Sequence, residues 1–173
     1  KITEVVPCAE MVRFVKNGND ATSAAIRLAR YVTGKDHVLF CGYHGWHDWY
    51  LSANLRDEAA LDQHLLSGLE PAGVPKSLTG TVLPFRYNHI EDLHKLLEKN
   101  KNKIAAIVME PIRGQEPQKS FLEEIREIAS RIGAVLIYDE VTSGFRINAG
   151  GIHLTLNVTP DIAVFAKAMG NGF

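Results

Sequence analysis

The sequence is poor in cysteine, nearly neutral in charge and without a long apolar run, and each shortage excludes a class of protein. Its two cysteines, Cys8 and Cys41, lie far apart in no metal-binding or redox spacing, which predicts reduced thiols in a cytoplasmic protein. A net charge of -1 offers no attraction to nucleic acid or to an anionic membrane. No apolar stretch approaches the roughly 20 residues needed to cross a bilayer.

What the sequence does contain is typical of one globular domain with a core. Its 173 residues are 46% hydrophobic and 23% charged, which is enough apolar material to fill a domain interior. The chain begins with Lys1 rather than Met, so we expect it to be a piece of a longer protein.

Short apolar runs alternate with amphipathic helical segments along the chain. Continuous apolar strands that alternate with helices are typical of a mostly parallel sheet with helices on both faces, so we predict an α/β fold. The predicted strands are MVRFV (11–15), HVLFCG (37–42), TGTVLPF (79–85), IAAIVMEP (104–111), AVLIYDEV (134–141) and DIAVFAK (161–167), and the predicted helices cover 17–36, 90–100 and 120–133.

Capping residues predict where the helices begin and end. Asn19 or Asp20 is expected to cap the first helix, and Gly34 is expected to end it. Ser120 with Glu123 has the spacing of a capping box. Residues 42–80 are expected to be irregular, with one short helix near 59–66.

Residues able to do chemistry follow several of the predicted strands. In open parallel sheets ligands bind at the carboxyl ends of the strands, so we expect these residues to share one crevice. They are Asp139 and Glu140, Lys167, the run Gly42, Tyr43 and His44, the acid Glu110, and the Gly18-Asn19 turn that opens the first helix.

The Gly18-Asn19 turn has two interpretations. It is either a plain connection from strand to helix or an anion site, since the N–H groups and dipole at a helix N-terminus attract phosphate. The turn by itself does not decide between them.

Two other motifs have a functional and a structural interpretation. His44, His47 and Asp48 could hold a metal, but no distant third ligand is evident, so a loop of packed aromatic residues is the better interpretation and we predict no metal site. The acids of VLIYDE resemble those that hold magnesium in P-loop ATPases. That function requires a GxxxxGK[ST] loop, and Gly34-Lys35 does not supply one.

The stretch LIYDEVTSGFR through TPDIAVFAKAMGNG resembles the signature of class III aminotransferases, pyridoxal-phosphate enzymes of fold type I. Within that class it is most similar to the branch of glutamate-1-semialdehyde aminomutase. FVKNGNDATSAAIRLARYVTGKD and GYHGWHD resemble the same family in the same order, so the resemblance covers nearly the whole chain. Its most specific part runs from Asp139 to Lys167, which are 28 positions apart.

The resemblance implies a role for each candidate residue. Lys167 would form a Schiff base with the cofactor aldehyde, its pKa lowered by burial, and would move the proton after displacement by substrate. Asp139 would keep the pyridine nitrogen protonated. The remaining cofactor contacts would come from Tyr43 and Val141 on the two ring faces, Gly18 and Asn19 at the phosphate, and His44.

Two positions depart from the family pattern. Thr142 stands where many class III transaminases have Gln, which favours the aminomutase-like branch. Asn17 and Asn19 stand where relatives often have Ser and Thr, so the phosphate donors are less well defined. The sequence suggests no role for Glu110.

The expected function is therefore transfer of an amino group to a semialdehyde, keto acid or keto sugar by a pyridoxal-phosphate enzyme. The resemblance implies a homodimer in which residues 1–173 form part of the large cofactor domain and a small C-terminal domain lies outside the sequence. Two alternatives remain open, a non-catalytic module that keeps this fold and a metal-dependent α/β enzyme.

Overall fold

The computed structural model describes residues 1–62, 64, 68–112 and 114–170 of the chain. Within these residues, five parallel strands form one sheet with helices on both faces, which confirms the predicted α/β fold. The strands are β1 (His37–Cys41), β2 (Val82–Pro84), β3 (Ile104–Met109), β4 (Val135–Asp139) and β5 (Ile162–Val164). The α-helices are α1 (Ile2–Val5), α2 (Gly18–Thr33), α3 (Asp48–Leu51), α4 (Ile90–Lys99), α5 (Phe121–Ile132) and α6 (His153–Leu156), with 3-10 turns at Ser52–Leu55, Lys76–Leu78 and Lys167–Met169.

The core lies on both faces of the sheet. The strand order β2-β1-β3-β4-β5 places β3 at the centre, where every one of its residues is buried. Because successive side chains of a strand point to opposite faces, Ile107 and Met109 pack with α4 and α5, whereas Ala106 and Val108 pack with α2 and α3. The parallel arrangement brings the carboxyl ends of β1, β3, β4 and β5 to one edge of the sheet.

The two ends of α2 differ in how well the sequence predicted them. Gly34 ends the helix in the left-handed conformation as predicted, with φ 64° and its N–H bonded to the Arg30 carbonyl. The prediction of Asn19 or Asp20 as N-cap is wrong, because Asn17 takes that position. Asn17 is extended, and its Oδ1 accepts the Asp20 N–H at 3.0 Å.

Three further local predictions differ from the structure. Residues 11–15 were predicted as a strand but pair with no described strand, and Met11 and Phe14 are 89% and 73% exposed. Ser120 is the N-cap residue of α5 as predicted, but its side chain forms no cap hydrogen bond, and its backbone is left-handed at φ 69°. Of the predicted short helix at 59–66, residues 59–62 form turns, and residues 63, 65 and 66 lie outside the described part of the chain.

In the portion of the chain that the structure describes, every helix is too short or too polar to traverse a bilayer.

Tyr138 in the core and Tyr87, which packs against the core, differ in the hydrogen bonding of their hydroxyl groups. Tyr138 in β4 is fully buried, and its hydroxyl has no hydrogen-bond partner among the described residues. Tyr87 donates its hydroxyl to the Pro111 carbonyl at 2.7 Å. A buried hydroxyl without a partner costs desolvation energy and returns no bond, so the two side chains should respond differently to loss of the oxygen.

We expect Tyr138→Phe to leave the free energy of unfolding unchanged or to raise it by up to about 1 kcal/mol. The matched variant Tyr87→Phe should lower it by about 1 kcal/mol, because a hydrogen bond is lost. Urea unfolding of the natural full-length chain, followed by circular dichroism, measures both. Equal destabilisation by the two variants would show that the Tyr138 hydroxyl has a partner after all.

Candidate active site

The predicted site residues meet where the strands end. The N-terminus of α2 lies against the end of β4 and the segment that follows β5. A Cβ added to Gly18 would lie 3.0 Å from Val141 Cγ2 and 3.5 Å from Ala166 Cβ, so the helix approaches both segments closely. Residues far apart in sequence therefore approach one another at this edge of the sheet.

The first turn of α2 has the features of an anion site. The first N–H groups of a helix have no partner inside the helix. Asn17 satisfies the N–H of Asp20, and the Asn17 amide donates to Asp20 Oδ2 at 3.1 Å. The N–H groups of Gly18 and Asn19 precede it at the positive end of the helix dipole, which is where phosphate groups bind.

Asn19 is held against the turn that follows β1. Gly45 has φ 96°, and a Cβ at this position would overlap the Asn19 side chain. Thr22 donates its hydroxyl to the Asn19 carbonyl at 3.0 Å and lies 3.4 Å from the His44 carbonyl. Only glycine fits at position 45, which allows the β1 turn and the helix N-terminus to pack together.

His44 and Asp139 form a buried hydrogen bond behind the crevice. Nδ1 of His44 lies 2.8 Å from Asp139 Oδ2, and Nε2 lies 3.1 Å from the carbonyl oxygen of Cys41. A carbonyl oxygen only accepts, so Nε2 donates to Cys41, and Nδ1 is the atom that contacts the carboxylate. The second oxygen of Asp139 accepts the Val141 N–H at 3.0 Å, which fixes the orientation of the carboxylate.

Lys167 contacts the loop that follows β4 but differs from expectation in its exposure. β5 ends at Val164, so Lys167 begins a 3-10 turn and does not end the strand. The side chain is exposed, not withdrawn from water as predicted, and its Nζ donates to Thr142 Oγ1 at 3.0 Å. Its backbone has φ 46°, a left-handed conformation that is uncommon for a residue with a side chain and that recurs at functional sites.

Tyr43 and Glu110 stand at the ends of the neighbouring strands β1 and β3. The Tyr43 ring is half-buried and meets the Tyr50 ring edge-on, with centroids 5.8 Å apart. Glu110 is only 4% exposed, and its Oε2 accepts the Tyr43 N–H at 3.1 Å. The sequence predicted that Glu110 lies near the site but not what it contacts.

The two histidines of the GYHGWHD segment face different partners. His44 is bonded to Asp139, whereas His47 Nε2 lies 3.4 Å from Asp20 Oδ1. Within the described residues, no group of three His, Cys, Asp or Glu side chains is placed to hold a metal ion.

A buried acid–imidazole pair, Glu140 and His153, was not predicted from the sequence. Glu140 is fully buried, and its carboxylate accepts from the His153 ring, from the Ile152 and His153 N–H groups and from the Ser143 hydroxyl. Burial acts to lower the pKa of His153, but its contacts with Cys8 and Glu140 outweigh burial and raise it to about 9. The pair ties residues 150–153 to the end of β4, and no local pattern pointed to it because thirteen positions separate the two partners.

With this geometry established, comparison with known proteins identifies the family. The family model described as "Aminotransferase class-III" matches residues 1–173. This chain belongs to the class-III aminotransferase family. The match spans all of the elements that build the crevice.

Curated relatives support the same assignment. The chain is 39% identical to 3-aminobutyryl-CoA aminotransferase of Cloacimonas acidaminovorans, an alignment that covers 100% of this chain and 39% of the relative. It is 40% identical to glutamate-1-semialdehyde 2,1-aminomutase of Methanosphaera stadtmanae, covering 100% of this chain and 41% of the relative. The chain thus spans about two fifths of the length of these relatives.

Solved structures share the fold. An omega-transaminase from Sphaerobacter thermophilus superposes with a TM-score of 0.84 at 31% identity, over 99% of this chain and 41% of that one. The FumI protein of Sphingopyxis sp. MTA144, solved in a PLP internal aldimine form, superposes with a TM-score of 0.81 at 27% identity, over 98% of this chain and 39% of that one.

The raised pKa of the buried His153 predicts that the stability of the folded chain depends on pH. In an unfolded chain the imidazole titrates near 6.5, and in the folded chain its pKa is raised to about 9. Its contribution to stability is therefore complete below about pH 6.5 and is lost as the pH rises through about 9. We expect the free energy of unfolding to fall by on the order of 3 kcal/mol across this window from this group.

Denaturant unfolding of the natural full-length chain from pH 6 to pH 10 measures the slope. His153→Gln should flatten it, whereas His89→Gln should not, because His89 pairs with Glu91 on the surface with its side chain 46% exposed. The same slope in the wild type and in His153→Gln would contradict the assignment.

Proposed function

We propose that the full-length protein is a pyridoxal-phosphate-dependent aminotransferase or aminomutase. It moves an amino group from an amino donor to an aldehyde or ketone, with Lys167 and Asp139 as its catalytic residues. The observation that supports this most directly is the convergence of Lys167, Asp139 and the N-terminus of α2, linked through Gly18, Val141 and Thr142.

The residues present fit the cofactor. Two N–H groups at the start of α2 suit a phosphate dianion, and the close packing at Gly18 and Gly45 lets the backbone approach it. A carboxylate held by two hydrogen bonds suits a pyridinium N–H, because it is oriented before the cofactor arrives. Tyr43 and Val141 would cover the two faces of the ring, and the Lys167 amine would hold the aldehyde end.

When bound, pyridoxal phosphate supplies an electrophilic carbon and a ring that accepts electrons. Asp139 holds a proton at the pyridine nitrogen through its negative charge, and His44 holds Asp139 in place. Lys167 removes and returns a proton at its Nζ, and Thr142 orients that amine with a hydrogen bond from the neighbouring loop. His44 thus acts through Asp139, since its side chain is completely buried.

Residues 1–173 say less about the class of substrate than about the cofactor. The two relatives of nearly equal identity bear the names of an aminotransferase and an aminomutase, so the likeness supports amino transfer without choosing between them. The acceptors we propose are a semialdehyde, a keto acid or a keto sugar. Neither a non-catalytic module nor a metal-dependent enzyme is favoured, since both Asp139 and Lys167 are present at the crevice and the family is one of aminotransferases.

We also propose that residues 1–173 are part of the large cofactor domain of a longer, cytoplasmic homodimer. Coverage of about two fifths of the curated relatives supports a longer chain. The segment alone should be inactive, because the rest of the large domain and a small C-terminal domain would complete the site.

Lys167 gives the most direct test. Borohydride reduction of the full-length protein loaded with pyridoxal phosphate should attach the cofactor mass to the peptide that contains Lys167. Lys167→Ala should still bind the cofactor through Asp139 and the α2 N-terminus, but it should not transfer an amino group. Lys35, whose Nζ is bonded to the Ile132 carbonyl, serves as a control and should carry no label. Label on another lysine, or on none, would remove Lys167 from the centre of the site.

Asp139 gives a second test. Asp139→Asn should slow the single-turnover half-reaction by orders of magnitude, about the effect of losing several kcal/mol of charge stabilisation. Asp161→Asn is the matched control, because Asp161 accepts the Leu136 N–H at the opposite end of β4 and should leave the rate unchanged. Stopped-flow absorbance measures the rate, and cofactor binding is confirmed separately. A near-normal rate in Asp139→Asn with cofactor bound would contradict the assignment.

A further inference from the structure

Three side chains from separate parts of the chain form hydrogen bonds with the backbone turn that carries Tyr43. The Gly42 N–H donates to Nδ1 of His64 at 3.2 Å, and the Gly42 carbonyl accepts from the Tyr50 hydroxyl at 3.0 Å. The next N–H along the chain, that of Tyr43, donates to Glu110 Oε2 at 3.1 Å. Consecutive backbone polar groups of the turn are thus bound to side chains.

The turn is also fixed sterically. Gly42 has φ 111°, a conformation that favours glycine. A Cβ at this position would lie 2.6 Å from Glu110 Oε2 and 3.2 Å from Glu110 Cγ. The backbone therefore lies directly on the Glu110 side chain, which leaves no room for the turn to shift toward β3.

The three side chains that form these hydrogen bonds are themselves buried. Tyr50, Glu110 and His64 are 0%, 4% and 7% exposed. Nδ1 of His64 accepts a hydrogen bond, so the ring is neutral with its proton on Nε2. Burial, and to a lesser extent His44, lower the pKa of His64 to about 4, so the accepting nitrogen is kept at neutral pH.

Tyr50 supports the neighbouring rings as well as the backbone. Its ring meets those of Tyr43 and His44 edge-on, with centroids 5.8 Å away in both cases. It also packs edge-on against Phe40, at 5.1 Å. One buried tyrosine thus contacts the side chain proposed to cover the cofactor ring and the side chain that holds Asp139.

We propose that Tyr50, Glu110 and His64 are positioning residues that hold the Gly42-Tyr43 turn so that the Tyr43 ring lies against the cofactor ring. The inference rests on the proposed function and extends it to residues that do not touch the cofactor. It assigns a role to Glu110 and to two residues, Tyr50 and His64, of the stretch 42–80 that the sequence predicted to be irregular. A turn held at successive backbone groups keeps Tyr43 in place before the cofactor binds, which reduces the entropy lost on binding.

The test uses the full-length protein and pyridoxal phosphate as the probe. Tyr50→Phe removes the hydroxyl and keeps the ring. We expect the dissociation constant for pyridoxal phosphate to rise about 3- to 10-fold, as for loss of one hydrogen bond. The visible circular dichroism of the bound cofactor should also change, because this signal reports the asymmetric contact with the Tyr43 ring. Tyr87→Phe is the matched control, since it loses a similar bond from a tyrosine hydroxyl to a backbone carbonyl, and it should leave both readouts unchanged.

His64 separates positioning from general stability. In His64→Asn the side-chain oxygen can take the place of Nδ1 as acceptor, so affinity and circular dichroism should stay near those of the wild type. His64→Leu keeps bulk but no acceptor, and it should show the same losses as Tyr50→Phe. Glu110→Gln retains an acceptor oxygen and should lose less affinity than Glu110→Leu.

The outcomes distinguish the two proposals. A wild-type protein that does not bind pyridoxal phosphate would overturn the proposed function and this inference with it. A wild type that binds, together with unchanged affinity and circular dichroism in Tyr50→Phe and His64→Leu, would overturn only the positioning role. Equal losses in Tyr50→Phe and Tyr87→Phe would also overturn it, because the effect would then be one of general stability.

Discussion

The buried hydrogen bond between His44 and Asp139 is the contact on which the rest of the crevice depends. It joins the turn after β1 to the end of β4 across the central strand β3. The Cys41 carbonyl fixes one ring nitrogen of His44, and the Val141 N–H fixes the second oxygen of Asp139. A charged group is costly to bury unless hydrogen bonds compensate it, so this set of bonds both stabilises the carboxylate and sets its direction.

The two other buried acids at this edge of the sheet also form hydrogen bonds that hold a loop. Glu110 follows β3 and holds the turn of Tyr43, and Glu140 follows β4 and holds residues 152 and 153. Glu110 and Glu140 each bind backbone N–H groups of a segment distant in sequence, whereas Asp139 binds the nearby Val141 N–H and the distant His44 ring. The acids thus order the loops at this edge of the sheet by binding their backbone N–H groups. Only Asp139 is placed for direct contact with a cofactor in the proposed function, while Glu110 and Glu140 act on the loops around it.

Predictions from local sequence were accurate where a residue's own neighbours decide its structure. The apolar runs of β1, β3 and β4 form strands, and Gly34 ends α2, since periodicity and backbone freedom are local properties. They were wrong about the side-chain capping bond of Ser120, whose backbone is left-handed, and about residues 11–15, which find no partner strand among the described residues. Strand formation needs a neighbour, and an apolar run cannot report whether one exists.

The sequence by itself determined the family, the α/β class and the candidate residues, because motif spacing and apolar periodicity are written along the chain. Only the tertiary structure decided which residues contact one another: His44 on Asp139, His153 on Glu140, and Tyr50, Glu110 and His64 on one turn. The contacts with Cys8 and Glu140 that raise the pKa of His153, and the burial that lowers the pKa of His64, were likewise invisible in the sequence. These contacts join segments many positions apart, and their energies depend on distance and burial, which exist only once the sheet has formed.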